Sequence, residues 1–173
     1  MKKVLITGGA GLIGYHLAKH LLGVYGDGCE LVLVDNLQRG RIDKDFSELL
    51  KDKRVKFISL DLTEQSSYKE LGGGYEHVYH LAAINGTKLF YEIPHEVLRV
   101  NTLTLIYMLE WFRRENRGGK FCFPSSNEAY AGGLNAFGQL PIPTPENVPL
   151  VIEDPYNPRW SYADTTGRRI IRD

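Results

Sequence analysis

The chain has no excess of charge of either sign, with 21 basic side chains against 21 acidic ones. That balance argues against a nucleic-acid groove or a polybasic membrane surface, leaving room only for a local patch. No apolar run approaches the roughly 18–20 residues that a membrane-crossing helix needs. Met1-Lys2-Lys3 leads straight into a strand-like run, without a signal-peptide pattern. Cysteine is scarce: Cys29 and Cys122 both lie in apolar strand-like runs, which predicts two buried, reduced thiols in a cytoplasmic protein and excludes a disulfide scaffold. Clustered metal ligands are also missing. His16 and His20 are four apart, but Leu17 stands where an HExxH motif needs glutamate, so both histidines are expected on a polar helix face. There is no internal repeat and no low-complexity tract. Proline is nearly absent from the first 123 residues, and seven of the eight lie between Pro124 and Pro158.

What is present fits one domain with a real core: 173 residues, 43% of them hydrophobic. The densest signal is Thr7-Gly8-Gly9-Ala10-Gly11-Leu12-Ile13-Gly14. It follows the apolar run Val4-Leu5-Ile6 and precedes an amphipathic segment from Leu12 to Leu22. Strand, glycine-rich turn and helix in that order form the setting in which glycines at this spacing hold a dinucleotide. Gly8 or Gly9 would let the chain turn, Gly11 would let the backbone approach a pyrophosphate, and Gly14 would let the helix pack closely on the strand. The helix N-terminus would offer free N–H groups and a positive dipole end to the phosphates. The alternative is a plain strand–turn–helix corner with spare glycines.

Strands are then predicted over Cys29–Val34, Val55–Leu60, Tyr75–His80 and Lys120–Phe123. Helices are predicted over Ile42–Leu50, over Thr63–Leu71 with Thr63 as N-cap, and from Pro94 to about Asn116. The apolar stripe of the last includes Val97, Leu98, Leu105, Leu109 and Phe112. Asn101 would lie on it and tie it to a neighbouring strand. This alternation predicts βαβ units, a parallel sheet and ligand binding beyond the strand carboxyl ends. Asp35 lies about 20 residues past the glycine turn, where a carboxylate accepts bonds from the adenosine ribose and repels a 2′-phosphate. That favours NAD over NADP, although Arg39 and Arg41 follow closely; an ordinary turn-opening aspartate is the alternative. The proline-rich stretch from Pro124 to Pro158 is expected to lack regular structure. From Trp160 to Asp173 helical spacing returns.

Seven short segments then carry a resemblance: TGGAGLIG at 7–14, VDN at 34–36, DL at 61–62, HLAA at 80–83, VNT at 100–102, PSSNEAY at 124–130 and SYADT at 161–165. In this order they resemble the extended short-chain dehydrogenase/reductases, in particular the NAD-dependent nucleotide-sugar epimerases, dehydratases and decarboxylases. The resemblance implies a Rossmann-type doubly wound parallel sheet in three αβα layers. It also implies a cytoplasmic enzyme that binds NAD and a nucleotide-sugar. The cofactor set would be Gly8, Gly11, Leu12, Ile13, Gly14, Asp35, Asn36, Asp61, Leu62, Leu81, Ala82, Ala83 and Asn101. Tyr162 would take a sugar hydroxyl proton as hydride moves to the nicotinamide, with Ser126 bonded to the reacting hydroxyl. Glu128 stands where the dehydratases remove a proton beside the new ketone, but Asn127 replaces their acid. For Ser126 the alternative is a loop serine capping backbone groups, and for Glu128 a solvated carboxylate.

Two departures matter. The family's Tyr-x-x-x-Lys places a lysine where this chain has Thr166, which carries no charge to lower the tyrosine pKa. Arg168 and Arg169 fall on other faces of such a helix. The sequence also stops soon after Tyr162, so residues 1–173 are expected to be a single NAD-binding domain, truncated before the substrate domain. Three readings follow: a sugar-oxidising enzyme, a catalytically impaired NAD-binding module or fragment, and a partner protein. Family members dimerise through the helix after Pro94 and the helix around Tyr162, so a homodimer is expected, with no nucleic-acid or membrane partner.

Overall fold

A computed structural model of the chain describes residues 1–167. Arg168 and Arg169 lie outside them. Five parallel strands form one sheet: β1 (Lys2–Thr7), β2 (Cys29–Asp35), β3 (Val55–Ser59), β4 (His77–His80) and β5 (Lys120–Cys122). Their order is β3-β2-β1-β4-β5; the parallel sheet is the one expected from the alternation of elements, and the doubly wound order is the one the resemblance implies. Among the described residues six α-helices accompany them: α1 (Leu12–Tyr25), α2 (Lys44–Leu49), α3 (Thr87–Glu92), α4 (Pro94–Glu115), α5 (Ala131–Phe137) and α6 (Trp160–Gly167). No helix among the described residues is long and apolar enough to cross a membrane, and none of these residues cluster as metal ligands.

The chain divides into two compact units. The first comprises Met1–Ala83 with Leu103–Phe123. Its strands alternate sides with period two. Val4, Ile6, Leu31 and Leu33 pack with Ala18, Leu21 and Leu22 of α1 and with Phe46 and Leu49 of α2. Leu5, Val32, Val34 and Val78 pack on the opposite side with Met108 and Trp111 of α4 and with Tyr68 and Leu71. Burial on both faces explains why these strands read as continuous apolar runs. The second unit comprises Ile84–Thr102 and the residues from Pro124 onward. It has its own small core of Ile84, Phe90 and Val97, with Tyr162 packed against it.

Local chemistry sets the boundaries. Asp43 caps α2 by accepting a hydrogen bond from the Phe46 amide at 2.8 Å. Pro94 begins α4, where a missing N–H costs nothing. β4 starts at His77 instead of Tyr75 because Asn116 occupies the Tyr75 backbone: its Oδ1 accepts from Tyr75 N at 2.6 Å and its Nδ2 donates to Tyr75 O at 2.7 Å. Asn101 treats Ile84 in the same way, at 2.7 and 3.1 Å. It therefore ties α4 to the segment after β4 and not to a strand.

Several expectations are corrected. Thr63 is not a helix cap; its amide and hydroxyl both donate to Asp61 Oδ1 at 2.8 Å, and a 3-10 turn follows over Gln65–Glu70. Cys29 is buried, but Cys122 is exposed, because β5 is an outer strand of the sheet. On α4, Val97 and Leu105 are buried as expected, but Leu98 is 41% exposed, and Met108 and Trp111 join the buried face. Helix α3 was not anticipated. The proline-rich stretch is regular at its start, where a 3-10 turn over Asn127–Tyr130 leads into α5. His16 and His20 are exposed, as expected.

Candidate functional site

In the first unit, the candidate residues gather at the carboxyl ends of β1, β2 and β4. Gly8 has φ of +68°, so it makes the turn out of β1. A Cβ there would stand 3.0 Å from Ala82 N and from Leu81 C and O. Gly11 caps α1 with no side-chain hydrogen bond. At Gly14 a Cβ would overlap the Gly8 carbonyl oxygen, so only glycine lets α1 sit so tightly on the turn. Leu12 and Ile13 are 77% and 70% exposed.

The Asp35 carboxylate is tied to this turn. It accepts from Ala10 N at 3.1 Å and from Leu37 N at 2.8 Å. Leu37 adopts φ of +59° in the process, an unusual backbone for a leucine. Asn36 is exposed and its Oδ1 accepts from Gln38 N at 3.0 Å. Asp61 is exposed and engaged by Thr63, while the Leu62 side chain is buried in the core. Leu81 and Ala82 are partly buried and Ala83 is exposed.

Sequence reasoning missed a buried pair between them. Thr7 Oγ1 lies 2.8 Å from His80 Nδ1 and accepts from the Leu81 and Ala82 amides at 3.1 Å each. Burial lowers the His80 pKa from 6.5 to about 4, so the ring is neutral. The sign of the linkage follows. The unfolded chain binds the proton first, so this contribution to stability is complete above about pH 6.5 and is lost as pH falls towards about 4. His80 alone therefore removes about 2 kcal/mol between about pH 7 and about pH 5. Urea titrations of wild type and His80→Asn at both pH values check this, and an equal acid loss in the two would refute it.

In the second unit, Ser126, Glu128 and Tyr162 are brought together. Ser126 caps the 3-10 turn, its hydroxyl accepting from Glu128 N at 3.3 Å, and this turn packs against α6, which bears Tyr162. The capping reading of Ser126 thus describes its geometry. Asn127 Oδ1 accepts from Ser126 Oγ at 3.3 Å. Glu128 is held by a residue that sequence reasoning missed: Arg159 donates Nε to Oε2 at 2.9 Å and Nη2 to Oε1 at 2.8 Å. Only the separation of Arg159 from Tyr162, about one helical turn, hinted at it. The Tyr162 ring stacks on Phe90 with centroids 4.6 Å apart. Burial raises the Tyr162 pKa above its ordinary value, the Ser126 hydrogen bond opposes that rise, and the Glu128 charge adds to it. Asn101 is buried; besides holding Ile84 it reaches Thr165 Oγ1 at 3.5 Å, and Thr165 in turn donates to Tyr162 O at 2.8 Å.

The first cluster fits a dinucleotide by its shape: a floor that a Cβ would fill at Gly8, a helix N-terminus capped by glycine alone, and a carboxylate at the end of β2. The UDP-N-acetyl-alpha-D-glucosaminuronate decarboxylase of Bacillus cytotoxicus is 32% identical over 162 residues, covering 94% of this chain and 46% of that protein. A UDP-glucose 4-epimerase of Schizosaccharomyces pombe is 30% identical over 156 residues, covering 88% of this chain and 42% of that protein. Among solved structures, the UDP-Glc/GlcNAc 4-epimerase of Campylobacter jejuni superposes with a TM-score of 0.76 at 26% identity, covering 96% of this chain and 46% of that one. The Thermus thermophilus UDP-glucose 4-epimerase, solved in complex with NAD, gives 0.71 at 29% identity, covering 95% and 47%. The chain spans about half the length of the curated relatives it matches. The sequence model of the NAD dependent epimerase/dehydratase family matches residues 4–166. With this match added to the parallel sheet and its glycine turn, the chain belongs to the NAD-dependent epimerase/dehydratase family.

Proposed function

We propose that residues 1–173 work as one NAD-binding domain of an enzyme that oxidises a hydroxyl of a nucleotide-sugar. The observation that carries this reading is that α6, which bears Tyr162, packs on the Asn127–Tyr130 turn that follows Ser126, with Arg159 just before α6 pairing with Glu128. In it, Gly8, Gly11, Leu12, Ile13 and Gly14 receive the pyrophosphate. Asp35, with Asn36, receives the adenosine ribose. Asp61, Leu62 and Leu81-Ala82-Ala83 line the remaining cofactor surface, and Asn101 holds the segment after β4 in place. NAD, when bound, supplies the hydride acceptor. Tyr162, once ionised to the phenolate, takes the sugar hydroxyl proton and becomes the neutral phenol, and Ser126, able both to donate and to accept, orients that hydroxyl. Glu128 is an anion fixed by Arg159, so any reaction in which it accepts a proton must loosen that pair first. Exposed Leu98 and Ile106 on α4 fit a homodimer through this helix.

A second reading, an impaired NAD-binding module, is favoured by the environment of Tyr162. Burial and Glu128 hold its proton on, Ser126 opposes them, and Thr166 stands where a lysine would act. Turnover of UDP-glucose and UDP-glucuronate, with NAD binding measured by fluorescence, separates the two. On the enzyme reading, Tyr162→Phe lowers turnover by at least about a hundredfold without weakening NAD binding, and Thr166→Lys raises turnover about tenfold or more. NAD binding without turnover in wild type and Thr166→Lys selects the module. Absence of NAD binding overturns both.

A further inference from the structure

We propose that His80 is a positioning residue for the cofactor end of the sheet, accepting the Thr7 hydroxyl proton and so aiming the Thr7 lone pairs at the Leu81 and Ala82 amides. The inference rests on the cofactor reading of the glycine turn. Thr7 Oγ1 has one proton and two lone pairs. Two amides, those of Leu81 and Ala82, donate to it. Its proton then goes to His80 Nδ1, 2.8 Å away. This fixes the neutral ring with its proton on Nε2. The opposite tautomer would ask the oxygen to accept three bonds and would leave the Thr7 proton without an acceptor. Nε2 has no partner among the described residues, so the arrangement tolerates one orphan N–H in exchange for three satisfied bonds.

His80 is fully buried, and Phe123 stacks on it at 6.0 Å with Phe121 at 6.2 Å. These rings limit its movement. Leu81 N–H is shared between Thr7 O at 3.2 Å and Oγ1, whereas Ala82 N–H goes to Oγ1. Ala82 N is also one of the atoms nearest to the missing Cβ of Gly8. His80 thereby sets the gap between the glycine turn and the chain leaving β4, against which a cofactor would lie.

NMR on the cofactor-free chain tests this directly. The wild-type His80 ring should carry its proton on Nε2; protonation at Nδ1 overturns the proposal. In His80→Leu, Ala82 amide exchange should accelerate by about tenfold or more, the size of one lost hydrogen bond, with β1 and β2 amides unchanged. His80→Asn places Oδ1 at the same reach and should restore protection. Thr7→Ser should behave as wild type and Thr7→Val as His80→Leu. NAD affinity should follow the same order, falling about tenfold where Ala82 is released. If His80→Leu does not fold, the Thr7 pair and the wild-type tautomer decide the matter. Equal Ala82 protection in Thr7→Ser and Thr7→Val overturns the proposal. A wild-type chain that binds no NAD removes the cofactor reading, while the exchange data still decide the role of His80.

Discussion

On the proposed cofactor reading, replacing Gly14 with alanine should weaken NAD binding by about a hundredfold and destabilise the fold by about 1–3 kcal/mol, because the added methyl has nowhere to go. Its position coincides with the Gly8 carbonyl oxygen, and it would lie 2.8 Å from Gly9 Cα and 3.0 Å from Gly8 C. All three neighbours are backbone, so no side chain can swing aside. Helix α1 must move away from the turn, which displaces the N–H groups meant for the phosphates. Gly23 provides the control on the same helix. A Cβ there meets nothing within 4 Å, so Gly23→Ala removes a poor helix former and stabilises by about 0.5–1 kcal/mol. NAD titration and urea denaturation of the two variants are the measurements. Gly14→Ala retaining wild-type NAD affinity would show that the close packing of α1 does not matter for the cofactor.

Trp111→Ala should cost about 3–5 kcal/mol, the largest loss expected from one substitution in the first unit. Trp111 is 2% exposed and sits among Leu5, Val78, Met108 and Tyr75. Its Nε1 donates to Gly72 O at 3.0 Å, and its ring lies 5.8 Å from that of Tyr75. Domains of this size are stable by only about 5–15 kcal/mol, so the variant should be partly unfolded in mild urea. Trp111→Phe keeps an aromatic ring in the core but not the indole N–H, and should lose about 1–2 kcal/mol. Equal midpoints for the two variants would mean that the loss comes from the Gly72 hydrogen bond and not from packing.

The parts of the fold legible in the sequence are those whose cause is local. β1 and β2 are buried on both faces, and their runs of valine, leucine and isoleucine say so. α4 has enough turns for its apolar period to emerge. α3, with six residues and one buried side chain, Phe90, has too few. α5 contains Gly132 and Gly133, poor helix formers, and lies in a segment whose prolines overshadowed it. Cys122 was misjudged because strand composition does not reveal whether a strand has neighbours on both sides. The site divides along the same line. Gly8 and Gly14 are readable from spacing, since turn and close packing are short-range demands. The Thr7–His80 contact joins residues 73 apart, and the Glu128–Arg159 pair residues 31 apart. No local pattern announces either.

Among the described residues β3 and β5 are the outer strands of the sheet, and this bears on colloidal behaviour. An outer strand presents open backbone groups, a template on which other molecules can stack. β5 offers only three residues, with Lys120 exposed at its start and Pro124, which has no N–H to donate, soon after its end. β3 carries an exposed lysine of its own, Lys56, in mid-strand. A strand docking on either side would have to desolvate an ammonium group for a short ladder. Replacing these lysines with valine or threonine, residues that otherwise suit strands, would therefore remove the guard against fibrous aggregation.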